Sequence, residues 1–301
     1  MCIDMSDKRF NPSDNDRRKA NEKLYRLYRA KDMRDYEGST AKVECDIDGE
    51  HGIFKERRSL RSKDHIMEQV AYELSKIMRV PCCKASCRKV DSTQAKIIGV
   101  TSSKNVIYGA FSRFECGAEN MTTFGSLFDC SIMRGNIVDP EMILKVLSKR
   151  YGRMSEITIT FFRYLIFDYI MGQLDRHEEN IALTITNGTV QMYPLFDNGL
   201  CVGAYEDNDS AIAALENGFY SSRMGSNADI IQTIAKFRTD NLKNVDIRKI
   251  IRYDLVNIDN VLRAISISDK YNQMNTARRQ AEAKFMYRQA LDIHKINIGG
   301  K

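Results

Sequence analysis

Residues 167–200 read FDYIMGQLDRHEENIALTITNGTVQMYPLFDNGL and carry the densest polar motif of the chain between apolar flanks. The stretch starts inside ITITFFRYLIFDYIMGQL, residues 157–174, an apolar run long enough to predict a buried helix. Asp175 follows that helix, and Asn180 stands five residues further on. IALTIT and TVQMYPLF then alternate on either side of Asn187-Gly188, a pair that accepts the positive φ of a tight hairpin turn. The hairpin returns the chain to Asp197-Asn198-Gly199. A helix end and a hairpin end are thereby expected to bring two polar corners to one point.

Upstream of this stretch the pattern is β-like. GSTAKVECDIDGEHGIFKE, from Gly38, alternates apolar positions around an Asp-Gly turn signal. Asp64 reads as a helix cap, and DHIMEQVAYELSKIM repeats Ile66, Val70, Leu74 and Ile77 at a helical period. CCKASCRKV, AKIIGVTS and NVIYGAFSRF read as short strands. Downstream, helices are expected over MILKVLSKR and then near residues 209–217, 226–236, 245–266 and 269–295. The last of these carries Lys270, Arg278, Arg279, Lys284 and Arg288, expected on a solvated face opposite Ala281, Phe285, Ala290 and Leu291. The result is an α+β chain in three parts: an N-terminal helical extension over 1–36, a small β-rich lobe with one helix over 37–115, and a mainly helical lobe over 116–301.

Bulk properties narrow the class. A chain of 301 residues with 43% hydrophobic content can bury a sizeable core, which excludes a disordered protein. The 46 basic and 40 acidic residues leave a modest +6, so nucleic acid is expected as a contact only indirectly, through a partner, if at all. The polar N-terminus and the lack of a run of eighteen apolar residues point to the cytoplasm, with no membrane association. Eight cysteines without paired spacing read as packed, reduced thiols, and CCKASC lacks the second pair that a metal site needs.

The chemistry that suits Asp175, Asn180 and Asp197 is phosphoryl transfer, which needs an acceptor for a hydroxyl proton, ligands for magnesium and a lysine on the phosphates. Protein kinases arrange an Asp, an Asn five positions later, and then a metal-binding Asp followed by one residue and Gly. DRHEEN followed by PLFDNGL resembles the HipA-like kinases, and more closely their shorter CtkA-type relatives. The resemblance implies a two-lobed protein-kinase-like fold and an ATP- and Mg2+-dependent serine/threonine protein kinase. It implies Asp175 as catalytic base and Asn180 and Asp197 as metal ligands. YEGSTAKVECDIDGEHGIFKE is similar to the family's loop, strand, turn and strand ending in lysine. Lys55 is then the phosphate-gripping lysine, with Glu68 as its favoured partner and Glu73 as the alternative. Gly38, Ser39, Thr40 and Lys42 would form the loop over the phosphates, and adenine would meet a hinge near Arg113 to Gly117. Arg176 and His177 follow the Asp instead of preceding it, and Asn198 stands where many kinases have Phe. His177 is expected to hydrogen-bond within its own loop.

The same resemblance implies a toxin-like enzyme with an unidentified protein substrate, an antitoxin or regulatory partner, and autophosphorylation at Ser39 or Thr40. Full-length HipA proteins carry a further N-terminal subdomain, for which the segment before Gly38 leaves too little room. Two other functions fit the motif. A phosphoinositide or small-alcohol kinase shares the Asp-Arg-His-x-x-Asn loop, but its lipid acceptor calls for a basic segment after Asp197, where LCVGAYEDNDSAIAALENG is acidic. A non-catalytic nucleotide-binding module would not need the base at Asp175.

Overall fold

Asp48 and Gly49 have φ of 55° and 76°, and this pair of left-handed residues closes the first hairpin. The structure is a computed structural model, and it describes residues 42–97, 100, 105–114, 121–128, 132–135, 137–186 and 189–299. The expected helix over 15–35, the residues Gly38, Ser39 and Thr40, the Asn187-Gly188 turn and the hinge beyond Phe114 lie outside the described residues.

The hairpin joins β1 (Lys42–Ile47) to β2 (Glu50–Glu56). With β3 (Ala85–Asp91) and β4 (Val106–Arg113) they form an antiparallel sheet in the order β1-β2-β4-β3. Strand alternation gives the sheet two different faces. Cys45, Phe54, Val90, Ile107 and Phe111 pack together on one. The other carries Ile53, Lys55, Ala110 and Ser112, which line a cleft. Helix α1 (Asp64–Met78) packs against β3, where the Gln69 side chain accepts from the Cys87 amide at 2.6 Å. Asp64 is the first helical residue of α1 and not its cap; its carboxylate accepts from the Ser62 hydroxyl at 2.8 Å.

Where a strand is expected over AKIIGVTS, the chain instead forms a short helix α2 (Ser92–Ile97). Asp91 is the cause: its carboxylate accepts from the amides of Thr93 and Gln94 at 2.8 Å each, and Gln94 accepts from the Asp91 amide at 3.0 Å. This reciprocal cap satisfies the free donors of a helix start and outweighs β propensity.

The helical part begins with β5 (Met121–Thr123), α3 (Phe124–Phe128) and the small hairpin β6 (Met133–Arg134) and β7 (Ile137–Val138). Then come α4 (Pro140–Tyr151) and α5 (Glu156–Met171), the helix that carries the signature stretch into the core. Strands β8 (Ala182–Thr186) and β9 (Thr189–Met192) pair antiparallel, and β5 joins them as a third strand. After α6 (Asn208–Asn217), the ribbon β10 (Ser221–Ser222) and β11 (Gly225–Ser226) leads into α7 (Asn227–Asn241). The helix expected over 245–266 breaks into turns at 247–249 and 253–255 before α8 (Ile258–Ser268). Asp246 and Asn257 break it, because each side chain caps a new start, on Arg248 and Asn260.

Helix α9 (Thr276–Gly299) starts seven residues later than expected, since the Asp269 carboxylate holds 273 and 274 in a turn by accepting their amides. Of its expected basic face, Lys270, Lys284 and Arg288 are exposed and Arg279 is half-buried, whereas Arg278 is not on that face. Arg278 is buried and donates to the carbonyls of Gly203 and Glu206 at 2.8 and 3.1 Å, and Arg288 donates to the carbonyls of Leu215 and Glu216. Among the described residues Cys45, Cys82, Cys83, Cys87 and Cys201 form no disulfide. No described helix is long and apolar enough to cross a membrane.

Candidate active site

The register of the first hairpin places Lys42 directly opposite Lys55. Directly opposed residues of an antiparallel pair point to the same face, so two ammonium groups share one side of the sheet and would repel. Asp197 resolves that conflict. Its carboxylate accepts from Lys55 Nζ at 2.5 Å and from Lys42 Nζ at 3.2 Å. Burial alone would raise the Asp197 pKa, but the two lysines outweigh it and hold the carboxyl well below the usual range. Burial likewise opposes the charge on Lys55, and Asp197 and Glu68 reverse the balance, leaving the ammonium above its ordinary value. Asp197 also has φ of 52°, a left-handed conformation uncommon for a residue with a side chain.

Lys42, Lys55, Glu68 and Asp197 form the polar end of a cleft. Ile53, Ala110, Met121, Tyr193 and Phe196 line it with apolar surface. Lys55 faces Ala110 across β2 and β4, where a small residue keeps the cleft open.

Asp175 and Asn180 lie on the loop after α5. Asn180 is buried, and its Nδ2 donates to the Asp175 carbonyl at 2.9 Å, which turns Oδ1 away from that carbonyl. The Asp175 carboxylate is 37% exposed and meets Arg223 at 3.6 Å. His177 accepts from the Glu179 amide at 3.2 Å and caps its own loop.

Two side chains stitch this loop to the segment bearing Asp197. Gln173 accepts from the Asp175 amide at 3.1 Å and donates to the Asp197 carbonyl at 3.3 Å. Arg176 is fully buried and forms a bidentate pair with Asp168 at 2.8 and 2.9 Å. Its remaining donors reach the carbonyls of Asn180 and Phe196 at 3.1 and 2.8 Å and Asn198 Oδ1 at 2.6 Å. Burial opposes the Arg176 charge, and Asp168 more than restores it.

Comparison with known proteins follows the same outline. No protein-family model and no curated protein matches the sequence. Among solved structures, the proinflammatory kinase CtkA of Helicobacter pylori superposes with a TM-score of 0.63 at 15% identity, covering 88% of this chain and 92% of that one. The fold is kinase-like. Weaker likenesses are to HipA of Shewanella oneidensis MR-1, solved with HipB and its operator DNA (TM-score 0.44, 11% identity, 93% of this chain and 71% of that one), and to hydra Fam20 solved with sugar (0.47, 14%, 88% and 83%).

Within the kinase-like fold, Lys55 on β2 meets Asp197 in the cleft, while Asp175 and Asn180 stand on the loop stitched to the Asp197 segment and are not among the residues that line the cleft. Two expectations change. Lys42 is not in a loop but is the first residue of β1, a second lysine on the Asp197 carboxylate. Among the described residues the ion pair expected between Lys55 and Glu68 is not made, because Lys55 turns to Asp197. Glu68 Oε1 instead accepts from the Asn198 amide at 3.0 Å, and burial followed by the Asp197 charge pushes its pKa up. Glu73 pairs with Lys76 on its own helix. Gly199 allows this approach, since a Cβ there would lie 2.6 Å from the Asp64 carbonyl and 3.0 Å from Glu68 Oε2.

Arg176, Asp168 and Gln173 were missed as parts of the site. Asp168 carried the available signal, as an acid inside an otherwise apolar helix eight residues before an arginine. A charge in a buried helix requires a partner.

Proposed function

We propose that this protein is an ATP- and magnesium-dependent kinase of the HipA-like type that phosphorylates serine or threonine hydroxyls of a protein. The observation that carries the reading is the half-buried Asp197 carboxylate held between Lys42 and Lys55 at the polar end of an apolar cleft. The residues present fit both cosubstrate and metal. The apolar walls suit a planar heterocycle, two ammonium groups suit phosphates, and Asp197 with the Asn180 amide oxygen is a hard-oxygen donor set of the kind magnesium takes. Magnesium, when bound, would neutralise charge that develops on the phosphates.

The chain's own residues then divide the work. Lys55 and Lys42 exchange a carboxylate for phosphate oxygens. Asp175, 37% exposed on the loop that Gln173 ties to the Asp197 backbone, orients the acceptor hydroxyl and takes its proton. The hydroxyl oxygen forms the new bond to the terminal phosphorus, the bond from that phosphorus to the bridging oxygen breaks, and ADP leaves with the electron pair. Gln173 and Arg176 hold the two loops so that both carboxylates keep their separation. Autophosphorylation of Ser39 or Thr40 and a partner of antitoxin type extend the same reading, and mass spectrometry after incubation with MgATP would show phosphate on residue 39 or 40.

The test is transfer from γ-labelled ATP by the wild type and Asp175→Asn in parallel. General-base loss is expected to cut transfer by about 10²–10⁴. Equal labelling by both proteins would discard the assigned base, and no labelling by the wild type in the presence of a protein extract would discard the function.

A further inference from the structure

The residue that faces Asp175 comes from a distant part of the chain. Arg223 sits between β10 and β11, and its backbone is tied into the site on both sides. The Arg223 amide donates to the Leu174 carbonyl at 2.9 Å, immediately before Asp175, and the Val138 amide donates to the Arg223 carbonyl at 2.9 Å. The main chain therefore fixes where the side chain starts, while the side chain itself is 62% exposed. Its Nε lies 3.6 Å from Asp175 Oδ1, beyond good hydrogen-bond distance. A guanidinium so placed has donors left for a second acceptor.

We propose that Arg223 is a specificity-determining residue that selects acceptor hydroxyls with a carboxylate one or two residues away. The inference rests on the reading of Asp175 as the residue that orients the acceptor. A hydroxyl bound to Asp175 at about 3 Å lies within roughly 6–7 Å of the guanidinium, which is about two residues of extended peptide at ~3.3 Å each. Without Arg223, such an anion would approach the Asp175 carboxylate unscreened and be repelled. The same loop carries Glu178 and Glu179, which by charge alone favour a basic substrate. Glu179 is engaged, accepting from the Thr123 hydroxyl at 2.6 Å, whereas Arg223 Nε lies 3.6 Å from the Asp175 carboxylate itself.

The test uses the full chain, MgATP and a degenerate peptide library with one fixed serine or threonine, with Asp, Ala or Lys varied at two positions on either side. For the wild type, kcat/KM is expected to be about fivefold to tenfold higher with Asp than with Ala at one of these positions, the range of a charge-assisted hydrogen bond. Arg223→Ala should bring that ratio to about one, Arg223→Lys should restore part of it, and Arg223→Glu should favour Lys peptides. The Asp-to-Ala ratio is insensitive to a general loss of structure, and the backbone bonds of residue 223 persist in every variant. An unchanged ratio in Arg223→Ala, or a wild-type preference for Lys or for no charge, would overturn the inference while leaving the kinase reading intact. Failure of the wild type to label any library member would overturn the acceptor reading at Asp175 and the inference with it.

Discussion

Asp197 and Asp175 are both carboxylates at the ends of loops, yet their surroundings are opposite. Asp197 lies against two lysines in a left-handed backbone conformation, with Glu68, Asn198 and Arg176 packed around it. Asp175 is open to solvent and meets one exposed arginine. Their backbones, in contrast, are held together by Gln173 and by the Arg176 cluster. On the proposed function, the Asp197 side, the floor, would hold the fixed charges of a cosubstrate, and the Asp175 side, the rim, would meet the acceptor.

The contrast predicts a graded set of effects. Arg176→Ala attacks the floor most severely, because Asp168 would remain buried without its cation. The expected loss is about 3–5 kcal/mol in unfolding free energy, read by denaturant or thermal melting. Gly199→Ala is smaller, at about 1–3 kcal/mol, since the new methyl group must displace the α1 backbone or Glu68. Arg223→Ala on the rim should stay within about 0.5 kcal/mol of the wild type, as expected for an exposed side chain whose backbone bonds persist. A loss at Arg223 comparable to that at Gly199 would erase the distinction between floor and rim.

Acidity separates the regions in a second way. Asp197 is held ionised in the folded chain, so its contribution is present above the ordinary carboxylate pKa of about 4 and is lost as pH falls below it. Asp197→Asn should therefore flatten part of the acid limb of a stability profile. Glu282 on α9 has the reverse sign. Burial raises its pKa to about 7 against the pull of Arg278, so the stability it contributes when protonated declines as pH rises through that value. The melting temperature should decline as pH rises from about 4.5 to about 7 and level off above that, and Glu282→Gln should remove the decline.

Much of this was legible from residues alone. The 167–200 stretch announces a buried helix, a hairpin and two polar corners, because periodicity and Asn-Gly turn chemistry are local properties. Asp48-Gly49 is equally local, and both residues take the positive φ that the pair foretells. What escaped reading depends on long-range pairing. Lys42 looked like a loop residue because nothing in the sequence states the register that sets it opposite Lys55. Glu68 looked like the partner of Lys55, whereas its bond to the Asn198 amide is set by the fold 130 residues away. Arg278 reads as part of a solvated face, since the carbonyls that accept from its buried guanidinium belong to the loop before α6. Capping by Asp91, Asp246 and Asn257 was present in the sequence and was outweighed by propensity in the reading of those segments.

The most direct test of the division between the two aspartates is a calorimetric titration of a non-hydrolysable ATP analogue into the wild type, Asp175→Asn and Asp197→Asn, each with and without magnesium. The account predicts that Asp175→Asn binds as the wild type does and keeps the full magnesium dependence, while Asp197→Asn loses that dependence. Magnesium-dependent binding that survives in Asp197→Asn, or disappears in Asp175→Asn, would contradict it.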